Sequence, residues 1–192
     1  MKRVEIIYGG ASNEKEISYL TAKSIYEHID TDLYNPGLTD LSKFDPDNFD
    51  NETIFFIAVH GEGGEDGKIQ TLLENKKRKF TGSSSESCIL TWDKVATKKT
   101  LIANDILTPQ FKSIKENEHF NFNDSFFTQN EHYFVKPNFN GSSYGISKVS
   151  DKKFNEALKE AKNYSNEVII EKSFNGPEYT VALLKGKPLT PL

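Results

Sequence analysis

Phe134-Val-Lys-Pro-Asn-Phe-Asn-Gly-Ser-Ser-Tyr-Gly-Ile-Ser-Lys-Val149 reads as strand, short glycine- and serine-rich loop, and strand again. Alternation along the first strand sets Phe134 and Lys136 on one face and Tyr133 and Val135 on the other. The first of these faces offers an apolar wall beside an ammonium, the pairing that a purine attached to phosphates requires. Gly141, Ser142, Ser143 and Gly145 add backbone N–H donors and hydroxyls able to wrap around phosphate oxygens. The segment is not a Walker A loop, because its lysine precedes the glycines and a strand, not a helix, follows. Taken alone it reads equally well as an ordinary hairpin with a flexible tip.

Working outward, the upstream half has a different pattern. Residues 3–8 read as a buried strand ended by Gly9-Gly10, followed by a helix with Asn13 at its N-cap and Glu16 at capping-box spacing. Ile17, Leu20 and Ile25 are expected on that helix's packed face. A second strand is expected near 33–38. Thr53–Val59 is a near-continuous apolar run of the kind found in parallel sheets covered on both faces. His60, the turn Gly61–Gly67 and a short helix through Ile69, Leu72 and Leu73 follow. That order opens a doubly wound α/β domain, whose ligands sit at the carboxyl ends of its strands. Gly9-Gly10 and His60-Gly61 both fall at such ends.

From about Ser84 the style changes to α+β. A helical stretch covers roughly 86–104, strands lie near 108–114 and 132–149, and a helix spans 152–164. Val168–Glu171 and Tyr179–Leu184 read as strands, and Lys185-Gly-Lys187 as a turn into a return strand over Pro188–Leu192. The expected domains are therefore 1–84, 85–172 and the start of a third over 173–192. Residues 116–131 are polar with scattered phenylalanines and carry no clear signal.

Composition narrows the class. At 192 residues with 27% charged side chains and a net charge of −4, the chain reads as globular, with its cations spread and no nucleic-acid footprint. Cys88 is the only cysteine, which excludes an internal disulfide and favours a reducing compartment. The run Ile54–Val59 is far too short to span a membrane, and Val4–Tyr8 leads into glycines and charges, not a signal-peptide pattern. A cytoplasmic protein is expected.

The candidate chemical groups are individually ambiguous. Lys136 is held by Pro137 at a strand end, a better phosphate ligand than Lys94, which alone reads as surface. Glu171 and Glu178 bracket an extended linker that could face an adenine edge and a ribose, or be a charged connection. The three acids of Gly61–Gly67 make that turn a poor phosphate cradle but a suitable wall for an ammonium. Glu14 is explained equally by the helix dipole, and His60 by an ordinary turn.

The whole series, however, has a recognisable order. Tyr8-Gly-Gly-Ala-Ser-Asn-Glu-Lys-Glu-Ile-Ser18, Val59-His-Gly-Glu-Gly-Gly-Glu-Asp-Gly-Lys-Ile-Gln70 and Phe80-Thr-Gly-Ser83 come first. Trp92-Asp-Lys94, Val135-Lys-Pro137 with Gly141–Val149, and Ile170-Glu-Lys172 with Gly176-Pro-Glu178 follow. Over almost its full length this series resembles the D-alanine–D-alanine ligases of the ATP-grasp superfamily. The resemblance implies ATP and Mg2+ (or Mn2+) as cofactors, D-alanine as substrate, peptidoglycan precursor synthesis and a homodimer. It implies that Glu14 holds the donor ammonium, with Ile17 and His60 in the same subsite, and that Ser142 links that network to a phosphate lid. Lys94, Phe134, Lys136, Gly141 and Ser143 are implied at the nucleotide's phosphates and base. Glu171, Lys172 and Phe174 are implied at the adenine linker, and Glu178 at the ribose. Ser173 departs from the bulky residue that many members carry there. Members of the family extend further, and the resemblance puts their metal ligands, an oxyanion-stabilising arginine and the acceptor loop beyond Leu192; on that reading the third domain here is incomplete and the 192 residues alone are inactive. Ligases joining D-alanine to D-lactate or D-serine, and a non-catalytic nucleotide-binding fragment, are the alternatives.

Overall fold

Val4, Ile6 and Ile7 are buried together in strand β1 (Lys2–Tyr8), and they need cover on both sides. The computed structural model, which describes residues 1–118, 125–128, 131–150, 153–184 and 186–192, provides it with a four-stranded parallel sheet. Its strands β2 (Tyr34–Asp40), β1, β3 (Ile54–Ile57) and β4 (Lys79–Phe80) lie in the order β2-β1-β3-β4. Ile7 and Phe55 pack with Ile69 and Leu73 of helix α2 (Lys68–Asn75) on one side. Val4 and Ile6 pack with Ala22 of helix α1 (Lys15–His28) on the other. Because both faces are covered, the apolar residues of β1 and β3 do not alternate with polar ones, apart from Glu5 in β1, which is buried against Arg3 and Thr39. The chain leaves β1 for β2 on one side and returns to β3 on the other, so the carboxyl ends of β1 and β3 form a switch point.

Helix α1 differs from its expected form in two ways. The cap position is Glu14, not Asn13, and it makes no side-chain cap bond; its N–H instead reaches Ser12 Oγ at 3.2 Å. The packed face is built on Ser18 and Ala22, whereas Ile17 and Leu20 stay more than half exposed. Small residues win because the helix runs close over the strand ends. Ser18 Oγ accepts from Gly9 N and donates to Ala58 O, both at 2.8 Å, tying β1, α1 and β3 together.

The helical stretch after residue 84 is two helices, α3 (Ser85–Trp92) and α4 (Lys94–Ala103). Asp93 separates them in an extended conformation and caps α4, its side chain accepting from Ala96 N at 2.8 Å. An aspartate gains more from capping a helix start than from lying inside one. Ser84 caps α3 in the same manner.

The second sheet is antiparallel, with strands β5 (Phe111–Lys115), β6 (Tyr133–Pro137), β7 (Ser147–Val149) and β8 (Glu167–Lys172) in the order β5-β8-β6-β7. Tyr133, Val135, Val168 and Ile170 turn one face toward helix α5 (Phe154–Lys162), which buries Phe154, Ala157, Leu158 and Ala161 against it. Tyr164 lies past the helix end and is partly exposed, while residue 152 of the expected helix lies outside the described residues. The strand expected over Tyr179–Leu184 shrinks to β9 (Leu183–Leu184), paired with β10 (Lys187–Pro188). Lys185 of the expected turn lies outside the described residues. Among the described residues no helix is long and apolar enough to cross a membrane.

Candidate functional site

At the carboxyl edge of the parallel sheet, Ser12 Oγ donates to His60 O at 2.9 Å, joining the turn after β1 to the turn after β3. His60 Nε2 lies 3.0 Å from Thr21 Oγ1, and its Nδ1 is 3.7 Å from Glu65 Oε1. Glu14, at the start of α1, has its Oε2 beside Gly61; a Cβ on that glycine would stand 2.8 Å from it. Ile17 is on the exposed side of the same helix. These groups form a wall rich in acceptors, suited to an ammonium.

The loop after β6 reaches this wall. A Cβ on Gly141 would stand 2.8 Å from Glu14 Oε2 and 3.2 Å from Glu65 Oε2, so the absence of a side chain lets the loop backbone meet both carboxylates. Ser142 follows with φ of 57°, a left-handed conformation that a non-glycine residue adopts only under constraint. Ser142 and Ser143 are exposed, and Ser143 O accepts from Ile146 N at 3.3 Å, closing the turn.

Behind the loop lies a cation cluster. Lys136 stands 5.2 Å from the centre of the Phe134 ring, on the face that alternation assigns to both. Its ammonium pairs with Glu171 Oε2, while Lys98 pairs with Glu171 Oε1 at 2.6 Å. Lys94 Nζ donates to Asn138 O at 3.2 Å and Asn140 O at 2.7 Å. Burial, and next the positive charge of Lys136, push the Lys94 pKa below its ordinary value. Burial alone would raise the Glu171 pKa, but hydrogen bonds from Lys136 and Lys98 outweigh it and hold the carboxyl below the usual range. Two lysines share the one Glu171 carboxylate and Lys94 donates to neutral carbonyls, an arrangement that suits phosphates. A hollow of about 680 Å³ runs along Thr108–Lys112 beside Ile102 and Phe126, but none of these three lysines lines it.

Not every candidate joins the cluster. Lys172 turns to Glu131 at 3.5 Å and to the Phe126 ring. Phe174 is 72% exposed and Glu178 is exposed, in a segment without strand pairing to either sheet. Ser173 Oγ is buried without a hydrogen-bond partner among the described residues.

Two residues that the motifs did not flag are central here. Lys98 is one helical turn beyond Lys94, and that spacing was its only signal. Asn138 is fully buried: its Oδ1 accepts from Val95 N at 2.9 Å, and its Nδ2 donates to Asp93 Oδ1 at 3.0 Å and Glu167 Oε2 at 3.1 Å. It pins the start of α4, and therefore Lys94, to the end of β6.

A protein-family profile described as the D-ala D-ala ligase C-terminus matches residues 101–190. The D-alanine–D-alanine ligase of Marinomonas sp. (strain MWYL1) is 33% identical over 202 residues, covering 98% of this chain and 62% of that protein. The enzyme of Syntrophotalea carbinolica is 35% identical over 197 residues, covering 98% and 61%. Over nearly its whole length the chain is thus similar to D-alanine–D-alanine ligases. Among solved structures, the ligase of Bacillus anthracis complexed with ATP superposes with a TM-score of 0.88 at 29% identity, covering all of this chain and 65% of that one. The fold is that of the ATP-grasp ligases. A D-Ala:D-Ser ligase, VanG of Enterococcus faecalis, shares the fold at a TM-score of 0.73 and 23% identity. The chain spans about 60% of the length of the curated relatives it matches.

Proposed function

We propose that this chain carries the nucleotide site and the first amino-acid site of an ATP-dependent ligase that joins two D-alanines for peptidoglycan precursor synthesis. The observation that supports this most directly is the approach of Gly141 to Glu14. It brings an ammonium-binding wall and a phosphate-binding cation cluster to the two ends of one short loop.

On this reading Glu14 holds the ammonium of the donor D-alanine, with Glu65 and His60 beside it and Ile17 at the rim. The donor carboxylate then lies toward the loop. One of its oxygens attacks the γ-phosphorus of ATP, the bond to the bridging oxygen breaks and ADP leaves. The amine of a second D-alanine attacks the acyl carbon, the nitrogen loses a proton and phosphate departs. Lys136 and Lys94 offset charge on the phosphates, and Gly141, Ser142 and Ser143 supply N–H and O–H donors over them. The protein's contribution is positioning and charge neutralisation, with no covalent step of its own. Phe134 walls the base, while Lys172, Phe174 and Glu178 are assigned to adenine and ribose by resemblance alone.

Magnesium normally accompanies ATP in such chemistry. Among the described residues no group of three or more His, Cys, Asp or Glu side chains converges to hold a metal ion. The division into domains at 84 and 172, a homodimer and a cytoplasmic location belong to the same proposal.

The test is calorimetric. Glu14→Gln is expected to weaken D-alanine binding at least tenfold while leaving ATP affinity within about twofold, since the phosphates meet the other sheet. An equal loss of both affinities would mean that the two subsites are misassigned.

A further inference from the structure

Lys98 and Lys136 share one carboxylate but are held differently. Lys98 comes from α4 with its side chain 6% exposed; its ammonium also donates to Thr108 Oγ1 at 2.7 Å and lies 5.2 Å from the Phe111 ring centre. Lys136, on β6, is 25% exposed, and besides pairing with Glu171 its ammonium stands over the Phe134 ring. In register, Glu171 of β8 faces Phe111 on β5 and Phe134 on β6, so neither flanking strand offers it another charge directly opposite. Lys94, near enough to act on both Glu171 and Lys136 through space, spends its ammonium on the carbonyls of Asn138 and Asn140. Lys148 on β7 stands over the far side of the arrangement, 5.7 Å from the Phe134 ring centre.

We propose that Lys98 is a positioning residue: it is the permanent counter-ion of Glu171, and it keeps that carboxylate charged and in place when Lys136 leaves it for a phosphate. Binding of the nucleotide is then an ion-pair exchange, in which the more exposed lysine moves and the buried one stays. This rests on the reading of Lys136 as a phosphate ligand given above. Without Lys98, the exchange would strand a largely buried carboxylate, which would take up a proton. No bond is made or broken beyond these hydrogen bonds and that proton.

The experiment compares the full chain with Lys98→Met, Lys98→Arg and Glu171→Gln, using ATP and inorganic tripolyphosphate in calorimetry from pH 6 to pH 8. The ratio of variant to wild-type affinity cancels the titration of the ligand itself. For Lys98→Met the ATP deficit is expected to reach about tenfold at pH 8 and to narrow toward pH 6, with extra proton uptake on binding; Lys98→Arg restores both. Glu171→Gln releases Lys136 from competition, so tripolyphosphate is expected to bind about threefold to tenfold more tightly. A pH-independent deficit in Lys98→Met would mark a merely structural lysine and overturn the proposal. So would unchanged tripolyphosphate affinity in Glu171→Gln, an arm that stands even where Lys98→Met does not fold. Failure of the wild-type chain to bind either ligand would overturn the nucleotide reading itself, a result distinct from both.

Discussion

The two sheets deliver functional groups in opposite ways. The parallel sheet is covered on both faces, so its strands present nothing; Glu14, His60 and Glu65 all come from the turns at its carboxyl edge. The antiparallel sheet gives one face to α5 and uses the other, where strand alternation alone sets Phe134 and Lys136 side by side. Consequently the candidate groups of the first region are held by hydroxyl and backbone bonds at loop ends, and those of the second by ion pairs and one buried amide. Precision at an edge depends on glycines that let backbones meet. Precision on a face depends on charges that find partners within the sheet.

That contrast can be broken first at the glycines. Gly64→Ala would drive a methyl into the Val59 carbonyl, a backbone atom that cannot yield, and is expected to destabilise the chain by about 3 kcal/mol in urea unfolding. Gly141→Ala presses on the ends of the Glu14 and Glu65 side chains, which can yield, and touches the Gly61 Cα at an ordinary 3.4 Å. It should leave stability within about 0.5 kcal/mol while weakening D-alanine binding. Equal stability losses would erase the distinction.

The buried polar clamps come next. Asn138→Ala leaves the buried Val95 N without its partner and removes one bond each from Asp93 and Glu167, for a cost of about 2–3 kcal/mol. Ser18→Ala removes two bonds at the other sheet and is expected to cost about 1–2 kcal/mol. Chemical denaturation of both variants ranks them, and the reverse order would mean that the edge, not the face, carries the stiffer clamp.

Lys136→Ala probes function on the face. Loss of a charge-assisted phosphate contact should weaken ATP about 10- to 100-fold, or about 1.5–3 kcal/mol, without affecting D-alanine affinity. Unchanged ATP affinity would remove Lys136 from the site.

The smallest expected effect is in acid. Glu171 has a folded pKa below its ordinary value of 4.5, so its contribution to stability is complete above about that pH and is lost as pH falls through the folded value. The stability difference between wild type and Glu171→Gln should therefore shrink on acidification below pH 4.5. Lys94 runs the other way: its folded pKa lies below the ordinary 10.5, so its charged form weakens the fold at neutral pH, a cost relieved as pH rises toward 10.5. Urea midpoints of wild type and Glu171→Gln between pH 7 and 3 measure the first trend, and a difference that grows in acid would contradict it.

By itself the sequence determined the period-two alternation of β6, the doubly covered strands β1 and β3, and the ordered motifs that carry the resemblance to the ligases. Each is a local pattern set by backbone geometry and burial, so it survives without knowledge of contacts. Tertiary structure decided what pairs across distance. Ser18 and Ala22, not Ile17 and Leu20, face the sheet because the helix runs close over the strand ends, where small side chains fit. Asp93 breaks a helix because Asn138 and Phe139, from another strand's end, come to meet it. Lys98 is one lysine among many along the chain; only the approach of α4 to β8 gives it Glu171 as a buried partner. Ion pairs between residues 73 positions apart leave no trace in local spacing, because charge interacts through space and not along the chain.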